Sequence, residues 1–142
     1  MYKKILVALE NSSTDQSLIQ HITALAKIHG SHLFLIHVAD GWVARNYDAL
    51  MLKESEEMVE DSKYLIKTAE SMRSHGLGVS SFLARGEPSE EILATAEKEK
   101  CDLIAMTSHG HRFLADLVFG STIEDVRHKT SIPILVVKGI PA

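Results

Sequence analysis

Short apolar runs alternate with longer amphipathic segments along the chain. A continuous apolar run of this length is typical of a strand that is buried on both faces of a parallel sheet. The runs predict five strands, at residues 5–9, 32–38, 79–84, 103–106 and 132–138. Each gap between successive strands is long enough for a crossover connection, so the pattern predicts βαβ units and the α/β class.

Helices are predicted in the segments between these strands. The first is predicted to end at Gly30, because glycine commonly follows the last helical residue in the left-handed conformation. The second runs from about residue 49 to residue 75, and Pro88 suits the first turn of the third. The fourth is predicted to begin near Ser121. Residues 41–48, which precede the second helix, are either a lid over a ligand or a surface loop.

At 142 residues the chain is expected to form one domain, spanning 1–142. Ligands of open parallel sheets bind beyond the carboxyl ends of the strands. The loops after the first and fourth predicted strands, residues 10–13 and 107–120, are therefore the places to expect a site. In the second loop, Gly110 and Gly120 precede the predicted start of a helix, an arrangement that suits an anion. The alternative is that these glycines only turn the chain.

Composition and charge narrow the function classes. Hydrophobic residues make up 45% and charged residues 24%, and the net charge of −4 argues against a general nucleic-acid binder. No apolar run approaches the roughly 18 residues that a membrane span needs. The chain opens without a charged and apolar leader, and its one cysteine, Cys101, is compatible with a reducing compartment. We expect a cytoplasmic protein with no nucleic-acid or membrane partner.

Motifs of catalysis and metal binding are absent from the sequence. It contains no G-x-x-x-x-G-K-[ST] loop, and its eight histidines form no H-x-x-x-H or His/Cys cluster. No arrangement of nucleophile and base can be identified. We therefore predict no catalytic residue, no metal ligand and no fast enzymatic activity.

Several separated motifs resemble those of the universal stress protein family. Gly110, nine residues, Gly120 and Ser121, followed by the apolar run 132–137, resemble its C-terminal signature. The opening residues 1–7 and the turn at 86–88 are similar to its other landmarks. The resemblance implies a single open five-stranded parallel sheet in order 3-2-1-4-5, Rossmann-like, with helices on both faces. It also implies a homodimer, and the apolar edge formed by the last strand would suit pairing with a second copy.

The resemblance further implies an ATP site, expected to hold ATP with Mg²⁺. The ATP-binding pattern of the family is G-x-x-G-x(9)-G-[ST], with an Asp at the end of the first strand. This chain departs from it twice, with Thr107 at the first glycine and Glu10 at the Asp. Glu10 keeps a carboxylate that can accept hydrogen bonds from ribose hydroxyls. The predicted site residues are Ala8, Leu9, Glu10, Val38, Met106, Thr107, Gly110, Gly120, Ser121 and Thr122.

The function that the resemblance implies is a stress-response sensor or regulator that binds ATP and is not a fast enzyme. The alternative is a dimeric interaction module of the same fold that does not bind nucleotides. A third class, a nucleotidyl-transfer enzyme on a related sheet, lacks its signature motifs in this sequence.

Overall fold

A computed structural model of the chain describes the backbone of residues 1–40, 47–108 and 114–140. Side chains are described in these ranges except at positions 40, 47–55, 57 and 114–121. The strands are β1 (Lys4–Ala8), β2 (His32–Asp40), β3 (Gly78–Gly86), β4 (Leu103–Ser108) and β5 (Ile134–Lys138). The helices are α1 (Asp15–His29), α2 (Tyr47–Arg73), α3 (Pro88–Lys98) and α4 (Leu114–Lys129). No helix in the described part of the chain has the length and apolarity that crossing a bilayer requires.

The five strands form one open sheet in the order β3-β2-β1-β4-β5, and all its pairs are parallel. This arrangement confirms the predicted fold. The central strand β1 pairs with β2 on one side and with β4 on the other, so their carboxyl ends lie next to each other. The winding of the chain reverses at β1, which is where a parallel sheet of this kind leaves a crevice.

Helices cover both faces of the sheet, as predicted. Odd-numbered residues of β1, such as Ile5 and Val7, pack against α1 and α2. The even-numbered Leu6 packs on the other face, against residues of α3 and α4 such as Ile92 and Val126. The alternation follows from the two-residue period of a strand. Because both faces are buried, β1, β2 and β4 read as continuous apolar runs.

Two predicted helix boundaries are confirmed. Gly30 ends α1 in the left-handed conformation, with φ of 65°. Pro88 is the first residue of α3, where its fixed φ suits the helix and no N–H is needed. Glu87 precedes it as the N-cap and accepts a hydrogen bond from the Glu90 N–H at 3.1 Å.

The predicted start of the fourth helix is wrong. α4 begins at Leu114, so Gly120, Ser121 and Thr122 lie inside the helix and not at its first turn. The residues from 114 to 119 include Leu and Ala, which favour helix, and a glycine inside a helix costs only about 1 kcal/mol. These preferences outweigh the breaking tendency of Gly120. Residues 41–46, which include most of the segment predicted to be a lid or a surface loop, lie outside the described residues.

Candidate functional site

A cleft of about 480 Å³, including its open mouth, lies at the carboxyl ends of β1, β2 and β4. Seven of the predicted site residues line it: Ala8, Leu9, Glu10, Val38, Met106, Thr107 and Thr122. Gly110 lies outside the described residues, and Gly120 and Ser121 are described only as backbone within α4. The position of the cleft is the one that the strand order 3-2-1-4-5 requires.

Four further residues line the cleft and were not predicted from the sequence: Ile36, His37, Pro88 and Ile92. Ile36 and His37 directly precede the predicted Val38 on β2, so the end of that strand was a usable signal. Pro88 and Ile92 are one helical turn apart on α3. Only the packing of α3 across the sheet shows that they belong to the cleft.

The two departures from the ATP-binding pattern are in contact with each other. The Thr107 hydroxyl donates to Glu10 Oε1 at 3.3 Å, joining the end of β4 to the loop after β1. Thr107 is only 3% exposed, so this contact is largely shielded from water. A glycine at position 107 has no side-chain donor to offer. The threonine therefore gives the longer carboxylate of Glu10 a partner across the cleft.

The loop after β1 is organised by the carboxylate of Asp15, which is 0% exposed. It accepts from the N–H groups of Glu10, at 3.0 and 3.1 Å, and of Asn11, at 2.9 Å. The Ser12 N–H lies 3.4 Å from the same group. Asn11 adopts a positive φ of 60°, a conformation that asparagine tolerates better than most residues. These contacts turn the chain sharply after β1 and place Glu10 at the rim of the cleft.

His37 is held from two sides. Its Nδ1 is 2.9 Å from the carbonyl oxygen of Leu9, and its Nε2 is 3.3 Å from Asp61 Oδ2. Both neighbours are acceptors, so the ring donates to both only when each nitrogen carries a proton. The other oxygen of Asp61 accepts from the Asn11 side-chain amide at 2.7 Å. Both ring nitrogens therefore face protein acceptors, and His37 contributes surface to the cleft without offering a free base.

The start of α3 closes one side of the cleft. Burial acts to raise the pKa of Glu87, but hydrogen bonds from the Ser89 hydroxyl and from backbone N–H groups outweigh it and lower that pKa. The Ser89 hydroxyl lies 2.6 Å from Glu87 Oε2. An ionised N-cap also suits the positive end of a helix. Glu87 thereby caps the first turn of α3, which carries the cleft residue Pro88.

The chemistry of the cleft suits a nucleoside better than a bare metal ion. Apolar side chains from three strands form a surface for a flat ring, and Glu10, Thr107 and Thr122 supply polar groups. In the described ranges, no group of three or more His, Cys, Asp or Glu side chains is placed to hold a metal. A Mg²⁺ ion that enters with a nucleotide would be held mainly by phosphate oxygens and water, as is usual for this ion.

Comparison with known proteins agrees with this geometry. The pattern of the universal stress protein family matches residues 1–138. The chain belongs to this family. Universal stress protein MJ0577 of Methanocaldococcus jannaschii is 31% identical over 155 aligned residues, which cover 97% of this chain and 96% of that protein. Its solved structure has a TM-score of 0.86 to this chain at 30% identity, and covers 100% of this chain and 99% of the other.

More distant universal stress proteins share the fold and have been solved with nucleotides. One, from Archaeoglobus fulgidus in complex with dAMP, has a TM-score of 0.71 at 21% identity and covers 96% of this chain and 98% of its own. Another, in complex with cAMP, has a TM-score of 0.69 at 16% identity and covers 96% of this chain and 97% of its own. The family and the fold are thus established.

Proposed function

We propose that this universal stress protein binds ATP in the cleft and acts as a stress-response sensor or regulator in the cytoplasm. The observation that carries the proposal is the cleft itself, where seven of the residues expected to contact ATP meet at the switch point of the sheet. Universal stress proteins with the same fold have been solved with cAMP and with dAMP, which supports an adenine nucleotide.

In this proposal the adenine lies against the apolar walls formed by Ala8, Val38 and Met106, beside the backbone of Leu9. Glu10 accepts hydrogen bonds from the ribose hydroxyls, since a carboxylate has only acceptors to offer. The Thr107 hydroxyl, which donates to Glu10 Oε1 at 3.3 Å, occupies one of the acceptor sites of this carboxylate that the ribose would otherwise use. The base and the sugar are thus recognised by side chains that the described cleft brings together.

The phosphates, with Mg²⁺, extend towards Thr122 and the segment that contains Gly110, Gly120 and Ser121. Because α4 begins at Leu114, the N–H groups of Gly120 and Ser121 lie inside the helix. Phosphate binding by these N–H groups therefore requires the first turns of α4 to open. We propose that ATP binding is accompanied by a loss of helix at the start of α4, measurable by far-ultraviolet circular dichroism.

The described residues of the cleft fit a regulatory role better than fast catalysis. Both ring nitrogens of His37 lie against protein acceptors, so neither of them is directed at a water molecule in the cleft. Phosphoryl transfer to water needs a group that orients or deprotonates the nucleophile. Glu10, the one carboxylate among the described residues that line the cleft, is assigned to the ribose. We propose that any ATP hydrolysis is slow and secondary to binding.

The direct test is to identify the nucleotide carried by the freshly purified protein. Acid precipitation releases bound nucleotide, which chromatography then identifies, and calorimetry with ATP measures the affinity. Release of an adenine nucleotide and saturable ATP binding are expected. Protein that releases none and gives no heat with ATP would overturn the proposal and leave the alternative function below.

Gly120→Asp tests the phosphate side. It adds a negative charge and bulk near the expected phosphates, and loss of one charge-assisted bond of about 1.5–3 kcal/mol lowers affinity at least about tenfold. Ser131→Asp is the matched control, because it adds the same charge at an exposed residue just beyond α4. ATP binding by folded Gly120→Asp at the parental affinity would show that the phosphates lie elsewhere.

Thr107→Gly restores the family residue and is expected to leave ATP affinity unchanged or to raise it.

The second candidate function is a dimeric interaction module that does not bind nucleotides. It is favoured by the edge strand β5, where Val136 is 43% exposed while Ile134 and Leu135 pack on the two core faces. We propose a homodimer formed through β5 in either case, since an apolar sheet edge can pair with a second copy. Val136→Lys should weaken the dimer in light scattering, whereas Val59→Lys, at an exposed position on α2, should not. A parental protein that is monomeric at tens of micromolar would refute the dimer.

A further inference from the structure

One peptide bond at the cleft, between Leu9 and Glu10, is held on both sides by side chains from other elements. Its carbonyl oxygen, on Leu9, lies 2.9 Å from His37 Nδ1 on β2. Its N–H, on Glu10, donates to the two carboxylate oxygens of Asp15 on α1 at 3.0 and 3.1 Å. Both residues of this peptide line the cleft. The orientation of the peptide sets the direction in which the Glu10 side chain leaves the backbone.

Both holding side chains are in turn contacted by α2. The Tyr64 hydroxyl donates to Asp15 Oδ2 at 2.6 Å. Asp61 Oδ2 lies 3.3 Å from His37 Nε2. Asp61 and Tyr64 are three residues apart, so they lie on the same face of the helix. One turn of α2 therefore contacts both supports of the Leu9–Glu10 peptide.

Burial of Asp15 favours the one geometry in which its carboxylate keeps all of these protein donors. Asp15 is 0% exposed, and a buried carboxylate is tolerated only when protein donors replace its water. Burial raises the pKa of Tyr64 well above its ordinary value, and the hydrogen bond to Asp15 acts in the same direction. The Tyr64 hydroxyl therefore stays protonated and continues to donate to Asp15. A shift of α2 along this contact costs this part-buried hydrogen bond.

We propose that Asp15 and His37 are positioning residues for the nucleotide site and that α2, through Tyr64 and Asp61, sets their geometry. Asp15 orients Glu10 from the N–H side of the peptide and His37 from the carbonyl side. The inference rests on the proposed function, because it assigns the recognition of ribose hydroxyls to Glu10. It goes further because it makes that recognition depend on α2, and no described residue of α2 lines the cleft.

The test compares binding of ATP with binding of 2′,3′-dideoxy-ATP, which lacks both ribose hydroxyls. The parent should prefer ATP by about tenfold, the value of one hydrogen bond to a charged group. Tyr64→Phe keeps the ring and removes the donor to Asp15, and Asp61→Ala removes the acceptor beside His37. Each should reduce the preference for ATP about three- to tenfold while changing the affinity for the dideoxy analogue little.

Ser80→Ala is the matched control. It removes the 2.9 Å hydrogen bond of His32, the other histidine of β2, at the opposite end of the strand. It should leave both affinities and their ratio at the parental values. Amide hydrogen exchange at Glu10 should accelerate in Tyr64→Phe and not in Ser80→Ala, which reports on the peptide without any ligand.

The outcomes separate the two proposals. A parent that binds neither nucleotide overturns the proposed function and the positioning role with it. A parent that binds both nucleotides equally shows that Glu10 does not recognise the hydroxyls, which overturns the positioning role alone. Variants that keep the parental ratio, or that lose affinity for both nucleotides equally, also overturn it, because a merely structural change acts on both ligands. A reduced ratio in both folded variants, with Ser80→Ala unchanged, supports it.

Discussion

At the amino end of the sheet, Asp102 accepts the N–H groups of Lys3 and Lys4 at 2.9 and 3.1 Å, and this contact is exposed. At the carboxyl end, Asp15 accepts N–H groups in the same way but is 0% exposed. An aspartate carboxylate thus accepts backbone N–H groups at each end of the sheet. At the amino end water can replace a lost hydrogen bond, whereas at the carboxyl end the acceptor itself has no access to water.

The two histidines of β2 show the same difference. His32, at the amino end, is 2.9 Å from the Ser80 hydroxyl, a neutral partner on the neighbouring strand. His37, at the carboxyl end, lies between the Leu9 carbonyl and the Asp61 carboxylate. Polar groups at the carboxyl end are therefore held by several elements at once. That end is the one that carries the cleft, and defined geometry is what a binding site requires.

The largest expected effect compares the two aspartates. Asp15→Asn keeps the shape of the side chain but turns an NH₂ group towards the donors around it. Several part-buried N–H and O–H groups then lose their acceptor, and at about 1–3 kcal/mol each the free energy of unfolding should fall by at least about 3 kcal/mol. Asp102→Asn should lower it by about 1 kcal/mol or less, because water reaches the freed groups. Urea denaturation of both variants measures this, and equal losses would remove the distinction between the two ends.

An intermediate effect is expected from two glycines. A Cβ at Gly139, after β5, would lie 2.8 Å from Thr14 Cβ, which belongs to a residue only 5% exposed. A Cβ at Gly78, the first residue of β3, would lie 2.6 Å from the ring of His32. That ring can rotate away by giving up the Ser80 contact, whereas Thr14 is enclosed.

Gly139→Ala should therefore lower the free energy of unfolding by about 1–3 kcal/mol, the usual cost of overpacking. Gly78→Ala should cost less than Gly139→Ala. Thermal and urea denaturation rank the two variants directly. If Gly78→Ala is the more damaging, the amino end is as rigid as the carboxyl end.

The smallest expected effect concerns pH at the amino end. Burial lowers the pKa of His32 below its ordinary value of 6.5, and the charges of Lys4 and Arg73 act in the same direction. Just below pH 6.5 the unfolded chain therefore binds more protons at this site than the folded chain does. His32 thus makes the free energy of unfolding fall as the pH decreases through 6.5.

His32→Gln removes this titration while keeping a polar partner for Ser80. The loss of stability between about pH 7.5 and about pH 5.5, the range in which histidine changes charge, should be smaller in the variant than in the parent. Urea denaturation at the two pH values measures the difference. An equal or larger loss in His32→Gln would contradict the assigned direction of the pKa shift.

Local signals predicted much of the fold. The apolar runs around Leu6, Leu35 and Ile104 predicted buried parallel strands because each is covered on both faces. Gly30 predicted the end of α1, since its conformation is one that other residues avoid. The predicted start of α4 was wrong because Gly120 was interpreted as a helix boundary. The residues before Gly120 favour helix strongly enough for the helix to continue through the glycine. A local signal is reliable only where no stronger neighbouring preference opposes it.

The sequence by itself determined the strand and helix pattern and, through its resemblance to the universal stress protein family, the strand order and most residues of the cleft. Tertiary structure alone decided which polar groups meet there. Tyr64 reaches Asp15 across 49 positions of the chain, and Thr107 reaches Glu10 across 97. Propensity and periodicity describe neighbours along the chain, whereas these contacts exist only because the sheet brings the ends of β1, β2 and β4 together beside α2.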